Sequence, residues 1–261
     1  MKHRAAVKYR SLARVMSKQG ICSRKEAARW IAAKKVKVNG IVADSPEMLV
    51  PLNAKIELIG IEMPPKQTLR YVVMNKRRGV VTTCADELGR ATVYDDLQAF
   101  LIANAIPERL FAVGRLDMDT AGLLLFTNDN DLANFLTFPE NNIPKTYLAT
   151  LNKPLTIDAL KKLESGVEIK VRGQHYFATP RQICPRSSYE VELTLTEGKN
   201  REVRRLFQAM GYRVETLLRI GFAALRLDIS ARPPLLNGRP LEFGTCTECS
   251  REEVLGNFTK F

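Results

Sequence analysis

The sequence is poor in the residues that build metal centres and disulfide frameworks. Its two histidines, His3 and His175, lie far apart, and five cysteines are scattered through 261 residues. Cys246 and Cys249 have the spacing of half a zinc site, but no second pair exists. We therefore expect no metal ion, and we expect reduced thiols in a cytoplasmic protein.

Long apolar runs are missing as well. No stretch approaches the length of a transmembrane helix, and the basic N-terminus lacks the apolar core of a secretory signal. Internal repeats and low-complexity segments are absent. The composition, 45% hydrophobic and 26% charged, is that of a globular protein. We therefore expect no membrane association and one large or two smaller domains.

Acidic residues are scarce at the N-terminal end. The first 40 residues contain 12 Lys and Arg but one acid, Glu26, whereas the remainder contains 28 basic and 27 acidic residues. Nearly all of the net charge of +12 is therefore in this segment. A compact basic block on a near-neutral body is typical of a polyanion-binding module. A disordered tail or a membrane-surface segment would give the same count, and residues 1–10 fit such a tail.

Residues 11–62 have the pattern of a small folded domain. Helical spacing of apolar residues begins at Leu12, and the capping-box pattern from Ser23 to Glu26 opens a second helix. Asn39 and Gly40 between short apolar runs predict a β-hairpin. Such a surface can contact phosphates without reading bases. The residues that we expect to make these contacts are Arg14, Ser23, Arg24, Lys25 and Arg29.

This segment resembles the αL-type RNA-binding domain of a ribosomal small-subunit protein, tyrosyl-tRNA synthetases and several RNA-modifying enzymes. The resemblance lies in Gly-Ile-Cys-Ser-Arg-Lys-Glu-Ala at residues 20–27 and Val-Asn-Gly at residues 38–40. Two prolines, Pro64 and Pro65, then indicate a linker over residues 63–68. We place a second domain at residues 69–245 and a C-terminal extension at residues 246–261. Strands outnumber helices there and connections are short, which favours a mainly antiparallel α+β domain.

The centre of the second domain is the stretch from residue 114 to residue 129. Residues 123–126 are all apolar, which predicts a strand buried on both faces. The preceding turn carries Arg115, Asp117 and Asp119, so charged groups stand at the edge of a rigid sheet. Residue types alone equally allow a surface ion pair between Arg115 and Asp117. In a tight turn the two carboxylates are expected to diverge, and we assign Asp119 no role.

A helix predicted from Glu202 to Met210 carries a polar stripe opposite its apolar one. Such a stripe is typical of a solvated surface, and the alternative is that one arginine enters a cleft to hold a carboxylate. The residues of the polar stripe are Arg201, Arg204, Arg205 and Gln208.

Three motifs in order resemble those of the pseudouridine synthases that modify ribosomal RNA. They are Gly-Arg-Leu-Asp-x-x-Thr-x-Gly-Leu-Leu-Leu, Lys-x-Tyr and Glu-Gly-Lys-Asn-Arg-x-Val-Arg-Arg. The resemblance implies that Asp117 is the nucleophile that severs the glycosidic bond of uridine, and that Arg204 pairs with it. It implies that Tyr147 stacks on the base and assists proton transfer, and that Arg115 fills the gap left by the flipped base.

The remaining residues that the resemblance assigns to substrate or RNA binding are Lys145, Asn200, Arg201, Arg205 and Leu217. It implies an isomerisation that needs no cofactor, ribosomal RNA as the partner and a monomeric enzyme of ribosome biogenesis. Two other functions stay open at this point. One is a non-catalytic rRNA-binding assembly factor, and the other is a hydrolase that uses an Asp117–Asp119 dyad.

Overall fold

The computed structural model describes residues 9–63, 67–84 and 86–258. The chain divides into two compact units, Met1–Leu69 and Arg70–Phe261. Parts of four predicted segments lie outside the described residues, namely residues 1–8 of the basic tail, residues 64–66 of the linker, residue 85 of the second domain and residues 259–261 of the C-terminal extension.

The small unit consists of two helices and short strands. In chain order its elements are β1 Tyr9–Ser11, α1 Leu12–Lys18, α2 Arg24–Ala32, β2 Val36–Val38, β3 Ile41–Val42, β4 Leu49–Pro51 and β5 Ile56–Leu58. Ser23 caps α2, because its hydroxyl accepts a hydrogen bond from the Glu26 amide at 3.2 Å. Asn39 and Gly40 adopt positive φ angles of 50° and 84° and join β2 to β3. The predicted hairpin is therefore confirmed.

The large unit is built around one sheet. The strands of this unit are β6 Tyr71–Lys76, β7 Phe111–Ala112, β8 Ala121–Thr127, β9 Lys145–Leu151, β10 Val167–Val171, β11 Gln174–Ala178, β12 Gln182–Pro185, β13 Glu190–Leu195, β14 Val214–Phe222, β15 Leu225–Asp228, β16 Leu235–Leu236, β17 Arg239–Pro240 and β18 Cys246–Glu248. Of these, β10 and β11 pair only with each other and form a separate hairpin. Its helices are α3 Val93–Ala103, α4 Asn130–Thr137, α5 Ile157–Ser165, α6 Glu202–Ala209 and α7 Arg251–Leu255.

The sheet has eleven strands within the described residues. One path runs β12-β13-β9-β14-β15-β16-β17, and a second branches from β14 through β8 to β6 and β18. The branch point is a parallel contact, because β14 pairs in parallel with β8, whereas the other strand pairs of this sheet are antiparallel. The predicted α+β class with a mostly antiparallel sheet is confirmed.

Every residue of strand β8 is buried. Leu123 and Leu125 pack into one apolar core with α4 and α7, whereas Leu124 and Phe126 pack into another with α3. All four side chains have no exposed surface. The prediction of a strand covered on both faces is therefore confirmed, and it fixes the turn that precedes β8 to a rigid support.

The segment that the sequence set apart as an extension begins within the same sheet. Cys246–Glu248 forms β18, which pairs antiparallel with β6. Helix α7 follows, with Ser250 as its cap and Glu253 returning the reciprocal hydrogen bond. Val254 packs in the core shared with β8. These residues therefore contribute to the core of the large unit.

Candidate active site

The turn from residue 114 to residue 120 is held by the loop that follows β6. Thr82 Oγ1 donates a hydrogen bond to the Leu116 carbonyl at 2.8 Å and accepts one from the Leu116 amide at 3.3 Å. The Gly79 amide donates to the Met118 carbonyl at 2.8 Å. Backbone bonds on both sides of Asp117 therefore fix where this carboxylate stands.

Lys76, the last residue of β6, also stabilises this turn. Its side chain has no exposed surface, and Nζ donates to the carbonyls of Thr120 at 2.8 Å and Asp117 at 3.2 Å. Burial lowers the pKa of Lys76 to about 8, although the charges of Asp119 and Asp117 act in the opposite direction. The ammonium of Lys76 therefore donates its hydrogen bonds to backbone carbonyls, and it stabilises the conformation of the turn.

Two carboxylates of the turn converge on α6. Arg201 makes two hydrogen bonds to Asp119, of 3.1 and 3.0 Å, and its Nη1 lies 3.7 Å from Oδ2 of Asp117. Arg204 Nε lies 3.2 Å from Oδ2 of Asp119. Asp119, to which the sequence assigned no role, is therefore the main anchor of both arginines, and the expected divergence from Asp117 does not occur.

Arg204 was predicted to pair with Asp117, but in the structure it contacts Asp119. Arg204 Nη2 donates to the Asp119 carbonyl at 3.0 Å, and Nη1 donates to the Val214 carbonyl at 2.8 Å. These bonds direct the guanidinium to residue 119, so Arg201 is the arginine next to Asp117. Burial raises the pKa of Asp119, but the hydrogen bond from Arg201 and the charges of Arg204 and Arg201 bring it below its ordinary value.

A cavity of about 1180 Å³ opens in front of this turn. Its lining combines charged groups with an aromatic and an aliphatic side chain, a composition that suits a planar polar ligand. The predicted site residues that line it are Arg115, Asp117, Lys145, Tyr147, Asn200, Arg201 and Leu217. The structure thus brings together side chains from the turn, β9, the loop before α6, the start of α6, and β14.

Tyr147 is one of the residues that line the cavity. It is a residue of β9, and it packs against both the core that contains α6 and the core that contains α3. Burial raises its pKa, and the charge and hydrogen bond of Arg219 act to lower it. An aromatic side chain that lines a polar cavity can stack on a base.

Lys145 begins the same strand, and its ammonium is partly enclosed. Nζ donates to the carbonyls of Ile143 at 3.0 Å and Thr196 at 3.3 Å. Burial, followed by the charge of Arg219, lowers the pKa of Lys145 to about 8, while Glu202 opposes the shift. Lys145 therefore joins the loop after β13 to the start of β9 and also contributes positive charge to the cavity.

Arg205 turns away from the cavity. Its Nη1 donates to the Lys170 carbonyl at 2.8 Å, and its Nε donates to the Asn200 carbonyl at 3.0 Å. Nη2 reaches Oδ1 of Asn200 at 3.3 Å. The prediction that Arg205 binds RNA directly is not tested by this arrangement, but its donors brace the loop that carries Asn200.

The small unit presents the basic residues that the sequence singled out. Arg14, Arg24, Lys25 and Arg29 are exposed. Ser23 is instead engaged as the cap of α2. A row of exposed cations on two short helices supplies a surface that can bind a phosphate backbone.

Four groups that shape the site were missed by sequence reasoning, namely Lys76, Thr82, Asp119 and Arg219. Arg219 gave a usable signal, because it interrupts the apolar run Leu-Leu-Arg-Ile-Gly-Phe at residues 217–222. Arg219 lies within β14, which runs from Val214 to Phe222. An arginine inside a buried strand is rare and indicates a special contact.

The two C-terminal cysteines are enclosed. Burial raises the pKa of Cys246 and of Cys249 to about 12, so both thiols keep their protons. Among residues 9–63, 67–84 and 86–258, no group of three or more His, Cys, Asp or Glu side chains is arranged to hold a metal ion. Within the same ranges, no helix is long and apolar enough to cross a membrane.

Comparisons with known proteins agree with this geometry. Residues 70–209 match the family model for RNA pseudouridylate synthase, and residues 10–56 match the S4 domain. Ribosomal large subunit pseudouridine synthase B of Bacillus subtilis (strain 168) is 36% identical over 219 residues, which cover 83% of this chain and 86% of that protein. An uncharacterized RNA pseudouridine synthase of Aquifex aeolicus (strain VF5) is 35% identical over 219 residues, with 81% and 83% covered.

A solved crystal structure of a pseudouridylate synthase has the same fold. It is 27% identical, it superposes with a TM-score of 0.63, and the match covers 94% of this chain and 97% of that one. Fold and cavity thus define a class, an RNA-modifying enzyme with a separate RNA-binding domain. The chain belongs to the RNA pseudouridylate synthase family. It is a pseudouridine synthase, which is an isomerase, and it carries an N-terminal S4 domain.

Proposed function

We propose that this enzyme converts a specific uridine of ribosomal RNA to pseudouridine, with Asp117 as the nucleophile. The observation that carries the proposal is the position of Asp117 in the cavity, with Arg201 3.7 Å from its carboxylate and Tyr147 in the same lining. The ribosomal substrate is supported by the name of the Bacillus subtilis relative. We further propose a monomer that acts in the cytoplasm, where ribosomal RNA is made and processed.

The geometry supports a division of roles. A nucleophilic carboxylate must stay ionised, and a nearby guanidinium favours the ionised form. Arg201 supplies this charge without a direct short hydrogen bond, so the Asp117 oxygens stay available for attack on the sugar. Tyr147 stacks on the flipped base, which contributes about 1–3 kcal/mol. Arg115 is exposed at the cavity and enters the gap in the RNA, offsetting part of the few kcal/mol that unstacking costs.

The remaining assignments are part of the same proposal. Lys145, Asn200 and Leu217 line the cavity and contact the substrate nucleotide or its neighbours. Arg204 acts on the chemistry through Asp119 rather than through Asp117. We retain residues 11–62 as the RNA-binding domain and residue 69 as the start of the catalytic domain, and we extend that domain through α7, because β18 and α7 belong to its sheet and core.

The proposal is tested by mapping pseudouridine in RNA treated with the purified enzyme. Unmodified small- and large-subunit rRNA transcripts are incubated with the full chain, and the products are sequenced after chemical derivatisation of pseudouridine. We expect conversion at one uridine or at a few neighbouring ones, with no release of free uracil. Binding without conversion would indicate an assembly factor, and release of free uracil would indicate a hydrolase. Either result would overturn the proposal.

The exposed cations of the small unit make a separate prediction. Each phosphate contact releases a counterion, so each lost contact should lower the slope of log K against log salt by about 0.7–0.9. The rRNA affinity of each variant is measured between low and physiological salt. The variants are single substitutions to glutamine at Arg14, Arg24, Lys25 and Arg29.

The matched control is Lys55→Gln. Lys55 belongs to the same unit, but its ammonium already pairs with Glu57 at 3.0 Å. Its substitution should leave the salt slope unchanged. Slopes that fall equally for the control and for the four test positions would show that the small unit attracts RNA only through its total charge.

A further inference from the structure

Arg219 is a buried cation at the centre of the sheet. Along the backbone ladders it is the partner of Tyr147 on β9 and of Gly122 on β8. Its side chain is 2% exposed, and Nε donates to the Leu123 carbonyl at 2.8 Å. The guanidinium carbon lies 4.7 Å from the centre of the Phe222 ring. It is therefore held rigidly, and Arg219 is one of the residues that line the cavity.

This guanidinium lacks the partner that buried arginines ordinarily have. Among residues 9–63, 67–84 and 86–258, no carboxylate lies within ion-pair distance of it, and Nη2 is buried without a hydrogen-bond partner. Removing a cation from water is unfavourable when no anion compensates for the lost hydration. The polar side chain that it meets is the hydroxyl of Tyr147. A negative charge on the Tyr147 oxygen would compensate for the buried positive charge of Arg219.

We propose that Arg219 is a positioning residue that acts through Tyr147, fixing the phenol oxygen and stabilising the negative charge that forms there during proton transfer. The inference rests on the proposed function, because it assigns the proton-transfer group of that reaction. Cross-strand pairing carries it: the two residues are backbone partners, and their side chains meet at the cavity.

The proton balance of the isomerisation shows why such a group is useful. The reaction moves one hydrogen from carbon 5 of the base to nitrogen 1. When the glycosidic bond breaks, its electron pair goes to the base, and the phenol gives this anion its proton. Carbon 5 then displaces Asp117 from the sugar. The phenolate takes the proton from carbon 5, and the C–H electron pair returns to the ring, so no outside acid or base is consumed.

The charges around Tyr147 agree with this role. Burial raises the pKa of Tyr147, and the charge and hydrogen bond of Arg219 lower it, whereas Glu202 from α6 and Asp117 from the turn raise it. Lys145 stands two residues away on the same strand and lines the same cavity. Of the groups that act on the phenol, Arg219 is the one that makes proton loss easier.

The first test compares single-turnover rates on saturating rRNA. R219M should lower the rate about 100-fold, the usual scale of general acid–base catalysis, and change RNA affinity less than about twofold. R219K should recover part of the loss, because lysine keeps the positive charge but lacks the planar set of donors of a guanidinium. In a Y147F background, R219M should change the rate less than about twofold. R226M is the control, because Arg226 pairs with Glu192, and it should change the rate less than about twofold. An equal loss in both backgrounds would overturn the proposal.

The second test needs no activity. Difluorotyrosine placed at position 147 of the full chain is titrated by fluorine NMR, because fluorination brings the phenol titration toward neutral pH. The pKa should be higher in R219M than in the wild-type sequence, and R219Q, a polar and neutral change, should give the same direction if R219M folds poorly. An unchanged pKa would overturn the proposal. If the wild-type enzyme formed no pseudouridine but the pKa moved, the proposed function alone would fail.

Discussion

Replacing Asp117 by asparagine should abolish pseudouridine formation while RNA binding survives. An amide of the same shape has no charged oxygen to attack the sugar, and loss of a covalent nucleophile lowers kcat by about 10⁴-fold or more. The turn should keep its shape, because it is held through backbone groups by Thr82, Gly79 and Lys76. We expect the single-turnover rate to fall to the detection limit, with a dissociation constant for rRNA within about twofold of the unchanged enzyme.

Asp119→Asn is the matched comparison, two residues along the same turn. Asp119 holds Arg201 and Arg204, and a neutral amide would hold them less firmly. This variant should slow the reaction but still give pseudouridine. The assignment of the nucleophile would be refuted by product formation in D117N, and still more clearly if D119N were the inactive member of the pair.

Sequence reasoning succeeded where the information is local. The buried run at residues 123–126, the Asn39 and Gly40 hairpin and the Ser23 cap are each fixed by neighbours within a few positions. Three motifs far apart in the chain also pointed to one cavity, and the lining of that cavity contains residues from all of them. Local pattern and motif order were therefore enough for the fold class and for selecting residues that line one cavity.

The pairing within the site was beyond local information. Arg201 and Arg204 lie one turn apart at the start of α6, so either could meet either carboxylate of the turn. The choice depends on where the helix begins, and Arg201 precedes it in a left-handed conformation with φ of 51°. That start directs Arg204 toward Asp119 and the Val214 carbonyl. Such a choice is made by tertiary docking, which no sequence spacing encodes.

The contact of Arg219 is another product of long-range assembly. It arises because β14 lies between β9 and β8, pairing antiparallel with one and parallel with the other. A parallel pair has no hairpin signature in the sequence. The residue type alone showed that an arginine interrupts an apolar strand, and only the sheet order shows which side chains it faces.

Gly122→Ala should be the most destabilising conservative change in the sheet. Gly122 has a φ of 105°, and a Cβ there would lie 2.2 Å from the carbonyl oxygen and 2.7 Å from the amide nitrogen of Arg219. Both are backbone atoms of the paired strand, so no side-chain rotation relieves the clash. Strain and overpacking together should cost at least about 3 kcal/mol, which for a unit of this size lowers Tm by about 10 °C.

Gly173→Ala separates the clash from the backbone strain. Gly173 has a φ of 85°, but nothing lies within 4 Å of its ideal Cβ position. It should lose only the strain, about 1 kcal/mol. Equal losses in thermal unfolding at the two positions would contradict the close approach of β8 and β14. In the folded fraction, G122A should also lower the rate of pseudouridine formation. A strand pushed away at this point displaces Arg219, and through it the hydroxyl of Tyr147.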